Sequence, residues 1–234
     1  MNLPISLPMP LSTSLPMSFR ASLGASLLVA LTAWCAPSWA APPTPEDVTR
    51  LCGDADGPAE CGRRIEAMQL PRLPGIAVRE GATLKVSLYP SGNATLTDVD
   101  AASGVRTYAL WDSLSEINAV VLYVTDGDNG RFVLLQRATG RQTELPAEPR
   151  VSPDRQRIAT ADFCPKRCVN ELAIWRVTRD GVFKDQFWAP KEAWDDAAVS
   201  WKSPETLVIE YSPKGGPAGQ KMERRLTDPG WNRP

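Results

Sequence analysis

The sequence contains no histidine. Ser-His-Asp and Cys-His catalysis, the histidine-containing zinc sites and a histidine pH switch are therefore excluded. Since the cysteines of the exported chain are expected to form disulfides, as argued from their number below, any reaction would have to use carboxylate, lysine, tyrosine or serine side chains. We expect a protein that is not an enzyme, with no catalytic residues and no cofactor.

Acidic residues are absent from residues 1–40, which carry a single basic residue, Arg20. An apolar run from Leu23 to Trp34 follows, and Ser38-Trp39-Ala40 then supplies a small-x-small cleavage site. These are the three parts of a secretory signal peptide. The pattern predicts a signal peptide over residues 1–40, cleavage after Ala40 and a periplasmic or secreted protein.

Long hydrophobic runs are missing as well. The apolar run of the leader is shorter than the about 20 residues that a membrane-spanning helix needs, and no later stretch approaches that length. A lipoprotein would need Cys35 as its acylated N-terminus, but the bulky Trp34 stands where such sites need a small residue. We therefore expect a soluble, exported chain without a membrane span.

Neither sign of charge is in excess. The chain has 26 Lys and Arg residues and 27 Asp and Glu residues, and the signs are interspersed. Phosphate binding needs a basic face or stripe, so this balance argues against a nucleic-acid partner. The sequence predicts no particular oligomeric state.

Cleavage after Ala40 removes Cys35 and leaves four cysteines, which are Cys52, Cys61, Cys164 and Cys168. An even number in an oxidising compartment indicates two disulfides, for which three pairings exist. We favour Cys52–Cys61 and Cys164–Cys168, because each bridge closes a short loop without needing a distant partner.

Residues 41–74 carry helical signals. Thr44 is the expected N-cap of a first helix, with Pro45 at its first position and acidic residues in its first turn. A second helical stretch runs from Ala59 to about Leu70 and is stopped by prolines. We predict an N-terminal helical segment over residues 41–74, folded as a short hairpin of two helices.

From Gly75 onward, apolar residues recur with a period of two, and Gly, Asn, Asp and Pro punctuate the chain regularly. This pattern predicts an antiparallel β domain over residues 75–234. The predicted strands are Ile76–Arg79, Leu84–Leu88, Ala94–Asp98, Thr107–Trp111, Val120–Thr125, Arg131–Arg137, Gln142–Leu145, Arg157–Asp162, Glu171–Thr178, Val182–Phe187, Ala197–Trp201, Thr206–Tyr211 and Lys221–Leu226.

A Ser-Pro-acid corner occurs twice before a strand, in "VSPDRQRIATAD" (Val151–Asp162) and in "VSWKSPETLVIEY" (Val199–Tyr211). A repeat of about 40 to 50 residues with three or four strands is typical of propeller blades. Together with "LAIWRVTRDG", the first corner resembles the WD40-like blades of extracytoplasmic β-propellers. Most of the chain from Cys61 to Tyr211 resembles a group of small exported bacterial proteins of uncharacterised function. The resemblance implies a location and a shape, but no reaction.

The expected fold is therefore mostly β, with antiparallel sheets arranged as propeller-like blades behind the helical hairpin. After Trp111 the chain supplies about two or three blade-like units, whereas closed propellers have about four to eight. We predict an incomplete, open stack of blades.

The segment "DGDNG" (Asp126–Gly130) offers spaced oxygen ligands of the kind that bind calcium. A calcium loop of the EF-hand type would need a ligand at its fifth position and Glu at its twelfth, which are Gly130 and Arg137 here. We predict a hairpin turn and no metal site.

The segment "FWAPKEAWDDAAVSW" brings Trp188 and Trp194 close to Asp195 and Asp196 in sequence. Aromatic rings beside carboxylates suit sugar binding, and paired carboxylates hydrolyse glycosides. Adjacent residues of an extended segment point to opposite faces, so the two aspartates are poorly placed to share one glycosidic bond. These four residues are the candidate binding residues, and packing in the core is the other role open to the tryptophans.

The leading hypothesis is an exported, non-enzymatic β protein that binds another protein or a cell-envelope glycan. A carboxylate-dependent hydrolase of envelope polysaccharide and an inhibitor or immunity-type protein are the alternatives.

Overall fold

A computed structural model describes residues 41–101 and 104–234. The predicted signal peptide, residues 1–40, lies outside the described residues. Within the described ranges, no helix combines the length and the hydropathy needed to cross a bilayer.

Two short helices begin the described chain. They are α1 (Pro45–Cys52) and α2 (Pro58–Gln69), and a 3-10 turn (Leu70–Arg72) follows α2. The predicted start of α1 is confirmed, because the Thr44 side chain accepts the backbone N–H of Asp47 at 3.1 Å and closes a capping box with it.

The strands form four antiparallel sheets, in each of which strands that follow one another in the chain are paired. Sheet 1 contains β1 (Ala77–Glu80), β2 (Thr83–Ser87) and β3 (Asn93–Thr97). Sheet 2 contains β4 (Val99–Ala101), β5 (Gly104–Leu114), β6 (Ala119–Asp126), β7 (Asn129–Gln136) and β8 (Gln142–Leu145). Sheet 3 contains β9 (Arg150–Val151), β10 (Arg157–Asp162), β11 (Glu171–Val177) and β12 (Val182–Trp188). Sheet 4 contains β13 (Trp194–Ser203), β14 (Thr206–Pro213) and β15 (Gln220–Arg225). The expectation of a mostly β fold of antiparallel sheets behind a helical hairpin is confirmed.

Successive sheets share apolar cores. One cluster of buried side chains packs sheet 1 against sheet 2, a second packs the helices and sheet 2 against sheet 3, and a third packs sheet 3 against sheet 4. Fully buried members are Leu84 and Leu122 in the first cluster, Ile65 and Ile158 in the second, and Ile174 and Ile209 in the third. The sheets are therefore stacked in chain order, and burial of these side chains is the main source of stability.

Both predicted disulfides are confirmed. Cys52–Cys61 joins the end of α1 to the start of α2, and Cys164–Cys168 closes the loop between β10 and β11. Each bridge restricts only a short loop, so its stabilisation should be at the low end of the usual range, about 2 kcal/mol.

The helices are anchored to the sheets by Glu66 of α2, whose exposed fraction is 3%. Its carboxylate accepts two hydrogen bonds from the Arg79 guanidinium, at 2.7 and 2.8 Å, and one from Arg63 at 3.2 Å. It also accepts the backbone N–H of Leu110 at 2.8 Å. Since Arg79 belongs to β1 and Leu110 to β5, one side chain connects a helix to two sheets.

The two Ser-Pro-acid corners differ in their hydrogen bonds. At the first corner, buried Ser152 donates its hydroxyl to Asp154 at 2.5 Å and accepts the backbone N–H of Arg157 at 3.0 Å. At the second corner, the Ser203 hydroxyl accepts the backbone N–H of Glu205 at 3.3 Å. Both corners precede a strand as predicted, but the first is bound more extensively.

Candidate binding cleft

The four candidate residues predicted from the sequence lie at the end of β12 and the start of β13. Trp194 is buried in the third core cluster, and its ring stacks on that of Tyr211 with 4.1 Å between the centroids. The half-buried ring of Trp188 lies 5.6 Å from that of Trp194. Asp195 is half-buried and Asp196 is exposed, at an irregularity in the pairing with β14. The structure thus brings the two tryptophans together between sheets 3 and 4, and a role of the four residues in binding stays a prediction.

Trp188 also helps to hold the C-terminal segment. The guanidinium of Arg224 lies over the Trp188 ring at 4.3 Å and over the Trp231 ring at 5.1 Å. Arg224 further donates to the backbone carbonyl of Pro229 at 2.7 Å. Cation–π contacts of this kind stabilise a packed surface, so the contacts seen at Trp188 are structural.

A cleft of about 730 Å³ is lined by strands of sheets 2, 3 and 4 and by the segment that leads into sheet 1. Leu73 and Ile76, on the way into β1, form one side, and residues 112–116 at the end of β5 form another. Strand β9 and residues Ser200 and Trp201 of β13 complete the lining. The cleft lies outside the segment that the sequence singled out, apart from the shared strand β13.

Asp112 enters this cleft because β5 is irregular there. The pairing of β5 with β6 shifts register between Leu110 and Asp112, so Trp111 is the extra residue of a bulge. Asp112 pairs with Val121, whose side chain belongs to the same core cluster as Trp111. The bulge therefore turns two consecutive side chains, Trp111 and Asp112, towards the same face of sheet 2.

Asp112 has an exposed fraction of 5%, and its Oδ1 atom has no hydrogen-bond partner in the described structure. Burial raises the pKa of Asp112 to about 7, and repulsion from Glu148 and Glu116 adds to the increase. The backbone N–H of Ser113 and the charge of Arg150 act in the opposite direction. A buried polar atom without a partner costs free energy, and such atoms are rare in folded proteins. Asp112 is therefore the most unusual polar group of the cleft.

Arg150, whose charge lowers the pKa of Asp112, is hydrogen-bonded to another carboxylate. The guanidinium of Arg150 donates to both carboxylate oxygens of Glu148, at 2.9 and 3.0 Å. Glu148 also accepts the indole N–H of Trp111 at 3.2 Å, and the backbone carbonyl of Arg150 accepts the indole N–H of Trp201 at 2.8 Å. This series of hydrogen bonds orders both tryptophan rings and leaves Asp112 without a hydrogen-bonded counter-ion.

The segment considered for calcium binding forms the turn between β6 and β7, as predicted. The carboxylate of Asp126 is paired with Arg106 and Arg131, and these hydrogen bonds lower its pKa. Among residues 41–101 and 104–234, no group of three or more Cys, Asp or Glu side chains could hold a metal ion.

The sequence reasoning did not find Asp112. Its only local signal is one acidic residue inside an otherwise apolar strand, in "YALWDSL". Alternation would place such a residue on a solvent-facing side of the sheet, whereas the bulge places it in the interior. The cleft around it is built from residues that are far apart in the chain.

No family model matches the chain, and no curated protein matches it. Among solved structures, the chain is distantly similar to "KlHsv2 with loop 6CD replaced by a Gly-Ser linker", with 12% sequence identity and a TM-score of 0.26. The similarity covers 59% of this chain and 59% of that chain. A likeness of this strength carries no argument about function.

Proposed function

We propose that this is an exported, non-enzymatic protein that binds an extended segment of a partner protein in the cleft. The observation that carries the proposal is that three sheets and the segment leading into sheet 1 line one cleft, which contains a buried carboxylate whose Oδ1 atom has no partner in the described structure. Ligand sites are typically concave and mostly apolar, with a few polar groups that fix the orientation of the ligand.

Export is supported by the signal-peptide pattern of residues 1–40. The two disulfides are consistent with it, because such bridges form and persist in oxidising compartments.

The lining favours a protein segment over a glycan. Of its sixteen residues, eight are proline or aliphatic, seven are charged or serine, and only Trp201 is aromatic. Sugar sites that use stacking need several aromatic platforms, of which this lining has one, whereas prolines and aliphatic side chains suit the apolar side chains of a peptide. A glycan is the competing ligand, so the experiment must be able to distinguish it from a protein.

Site-specific photocrosslinking in the native envelope tests the proposal. A photoreactive amino acid would replace Ser200 in one variant and Ser115 in another, since both positions are exposed and line the cleft. Replacement of Glu223, which is exposed on β15 and absent from the lining, is the matched control.

We expect both cleft positions, but not the control, to give an adduct with the same protein. Identification of that protein by mass spectrometry would also show whether it is a secreted enzyme, as the inhibitor hypothesis requires. Adducts that carry only glycan, or the same adducts from Glu223 as from the cleft, would contradict the proposal.

A further inference from the structure

The charges around Asp112 define what the cleft can accept. Glu116 follows β5, Glu148 precedes β9, Arg150 is the first residue of β9, and Arg72 lies in the turn before β1. Arg150 and Glu148 are bound to each other, so their charges largely cancel.

Glu116 and Arg72 are both exposed, so water screens them more strongly than it screens Asp112. The buried carboxylate of Asp112 is therefore the group of the cleft whose interaction with a ligand charge is screened least.

Hydrogen bonding, like the charge of Asp112, favours a cationic ligand. An ionised carboxylate only accepts hydrogen bonds, and the Oδ1 atom of Asp112, which is itself buried, has no donor in the described structure, so the carboxylate is short of donors. A charged donor forms a shorter and stronger hydrogen bond with a carboxylate than a neutral donor does.

Trp201 adds a second feature that favours a cation. The ring lines the cleft, is only half-buried, and is held in place by the hydrogen bond from its indole N–H to the carbonyl of Arg150 at 2.8 Å. Ammonium groups bind the faces of tryptophan rings, and a ring that is already fixed loses little entropy in doing so.

We infer that the cleft recognises a primary ammonium group, such as the side chain of a lysine in the partner segment, and that Asp112 is its counter-ion. This inference rests on the proposed function, because it names the chemical group that the bound segment presents. Arg72 takes no part in this contact, and its exposed guanidinium can pair with an acidic residue of the same bound segment.

Binding of an ammonium group to Asp112 is coupled to loss of the Asp112 proton. The lysine side chain stays charged throughout the range from pH 5.5 to pH 8.5. Because the pKa of Asp112 is about 7, its carboxylate is mostly protonated at the lower end of this range and mostly ionised at the upper end. Affinity for the ammonium group is therefore expected to rise with pH.

The test uses the purified exported chain and two peptides. One is acetyl-Gly-Lys-Gly-amide, and the other is identical except that the lysine side chain is acetylated and so uncharged. Binding is followed by NMR through the indole N–H signal of Trp201 and the carboxyl carbon of Asp112. Asp112→Asn is the test variant, and Glu223→Gln, which removes an exposed carboxylate of β15 outside the cleft, is the matched control.

We expect the charged peptide to bind at least about tenfold more tightly than the acetylated peptide at pH 8.5, which corresponds to about 1.4 kcal/mol. Asp112→Asn should remove this preference, and Glu223→Gln should change it less than about threefold. The charged peptide should also bind more weakly at pH 5.5.

Equal binding of the two peptides, undetectable binding of the charged peptide at pH 8.5, or an unchanged preference in Asp112→Asn would overturn the inference. These results are independent of the crosslinking experiment. A partner crosslinked at the cleft together with equal peptide binding would retain the proposed function and remove only the role assigned to lysine.

Discussion

Glu66 and Asp112 are both buried carboxylates at strand β5. The carboxylate of Glu66 accepts the backbone N–H of Leu110, while Asp112 lies two residues further along the same strand. Glu66 has two arginines within hydrogen-bond distance, whereas the Oδ1 atom of Asp112 has no partner.

The comparison shows that burial alone does not reveal the role of a carboxylate. A buried charge with a complete set of partners holds structural elements together, and one with an incomplete set is destabilising unless a ligand or a proton completes it. Experiments that remove or change the partners of each carboxylate therefore test this difference directly.

The largest effect is expected for Glu66→Ala. The substitution removes the carboxylate that Arg79 and the backbone N–H of Leu110 share, while Arg79 keeps its longer contact with Asp98. Loss of one partner of a buried ion pair costs about 3–5 kcal/mol. Urea unfolding at pH 7 would measure the loss. Glu60→Ala on the same helix is the control, since Glu60 pairs with Arg64 near the surface and should cost less than about 1 kcal/mol. Equal losses in the two variants would show that Glu66 is not an anchor.

Asp112→Asn, in contrast to Glu66→Ala, should increase the free energy of unfolding at neutral and alkaline pH. The pKa of Asp112 is about 7 in the folded protein against a usual value of 3.8, so the folded state keeps this proton after the unfolded chain has lost it. The resulting stabilisation is complete below pH 3.8 and is lost as the pH rises to about 7, by about 4 kcal/mol in all.

Unfolding of wild type and Asp112→Asn between pH 4 and pH 8 would measure this dependence. The advantage of the asparagine variant should grow with pH and level off above about pH 7. Asp100→Asn, at an exposed position of β4, is the control and should show no such trend. A difference between wild type and Asp112→Asn that is constant across the range would contradict the assignment.

Arg79→Lys sharpens the comparison on the side of Glu66. Lysine keeps the charge but cannot make the two parallel hydrogen bonds that Arg79 makes to Glu66, so the expected loss is about 1–2 kcal/mol. Arg63→Lys should cost less, because Arg63 makes one longer hydrogen bond to Glu66 and is more exposed. Thermal or urea unfolding of the two variants in parallel would reveal the order, and the reverse order would refute this account.

Glu148→Gln should have the smallest effect, a change in the pKa of Asp112 through the loss of a neighbouring charge. Removal of the negative charge of Glu148, which also loosens its hold on Arg150, should lower the pKa of Asp112. Titration of the Asp112 carboxyl carbon by NMR would measure the change, with Glu144→Gln at an exposed position of β8 as the control. An unchanged pKa would mean that burial alone sets the value.

Much of the fold could be predicted from local sequence patterns. Every predicted strand overlaps an observed one, the first helix begins at Pro45 as expected, and both disulfides pair as favoured. The short strands β4 and β9 were missed, because two or three residues are too few for a period of two to be recognised. Strand β5 extends beyond its predicted end at Trp111, since the bulge there interrupts the alternation.

The candidate site could not be predicted in the same way. The sequence directed attention to Trp188, Trp194 and the neighbouring aspartates because aromatic and acidic residues are adjacent there. In the structure, Trp194 packs in the core. The carboxylate with an unpartnered Oδ1 atom belongs to Asp112, which follows Trp111, a residue outside the segment that the sequence singled out.

The sequence by itself determined the local structure of this protein, including the helix cap at Thr44, the positions of the strands and turns, and the short disulfide loops. These features depend on backbone preferences and on contacts between residues close in the chain. Only the tertiary structure decided that Glu66 meets Arg79 and Leu110, while the Oδ1 atom of Asp112 has no hydrogen-bond partner among the described residues. Arg79 and Leu110 belong to separate sheets. The burial that strengthens the hydrogen bonds of Glu66 and raises the pKa of Asp112 exists only once the sheets have stacked.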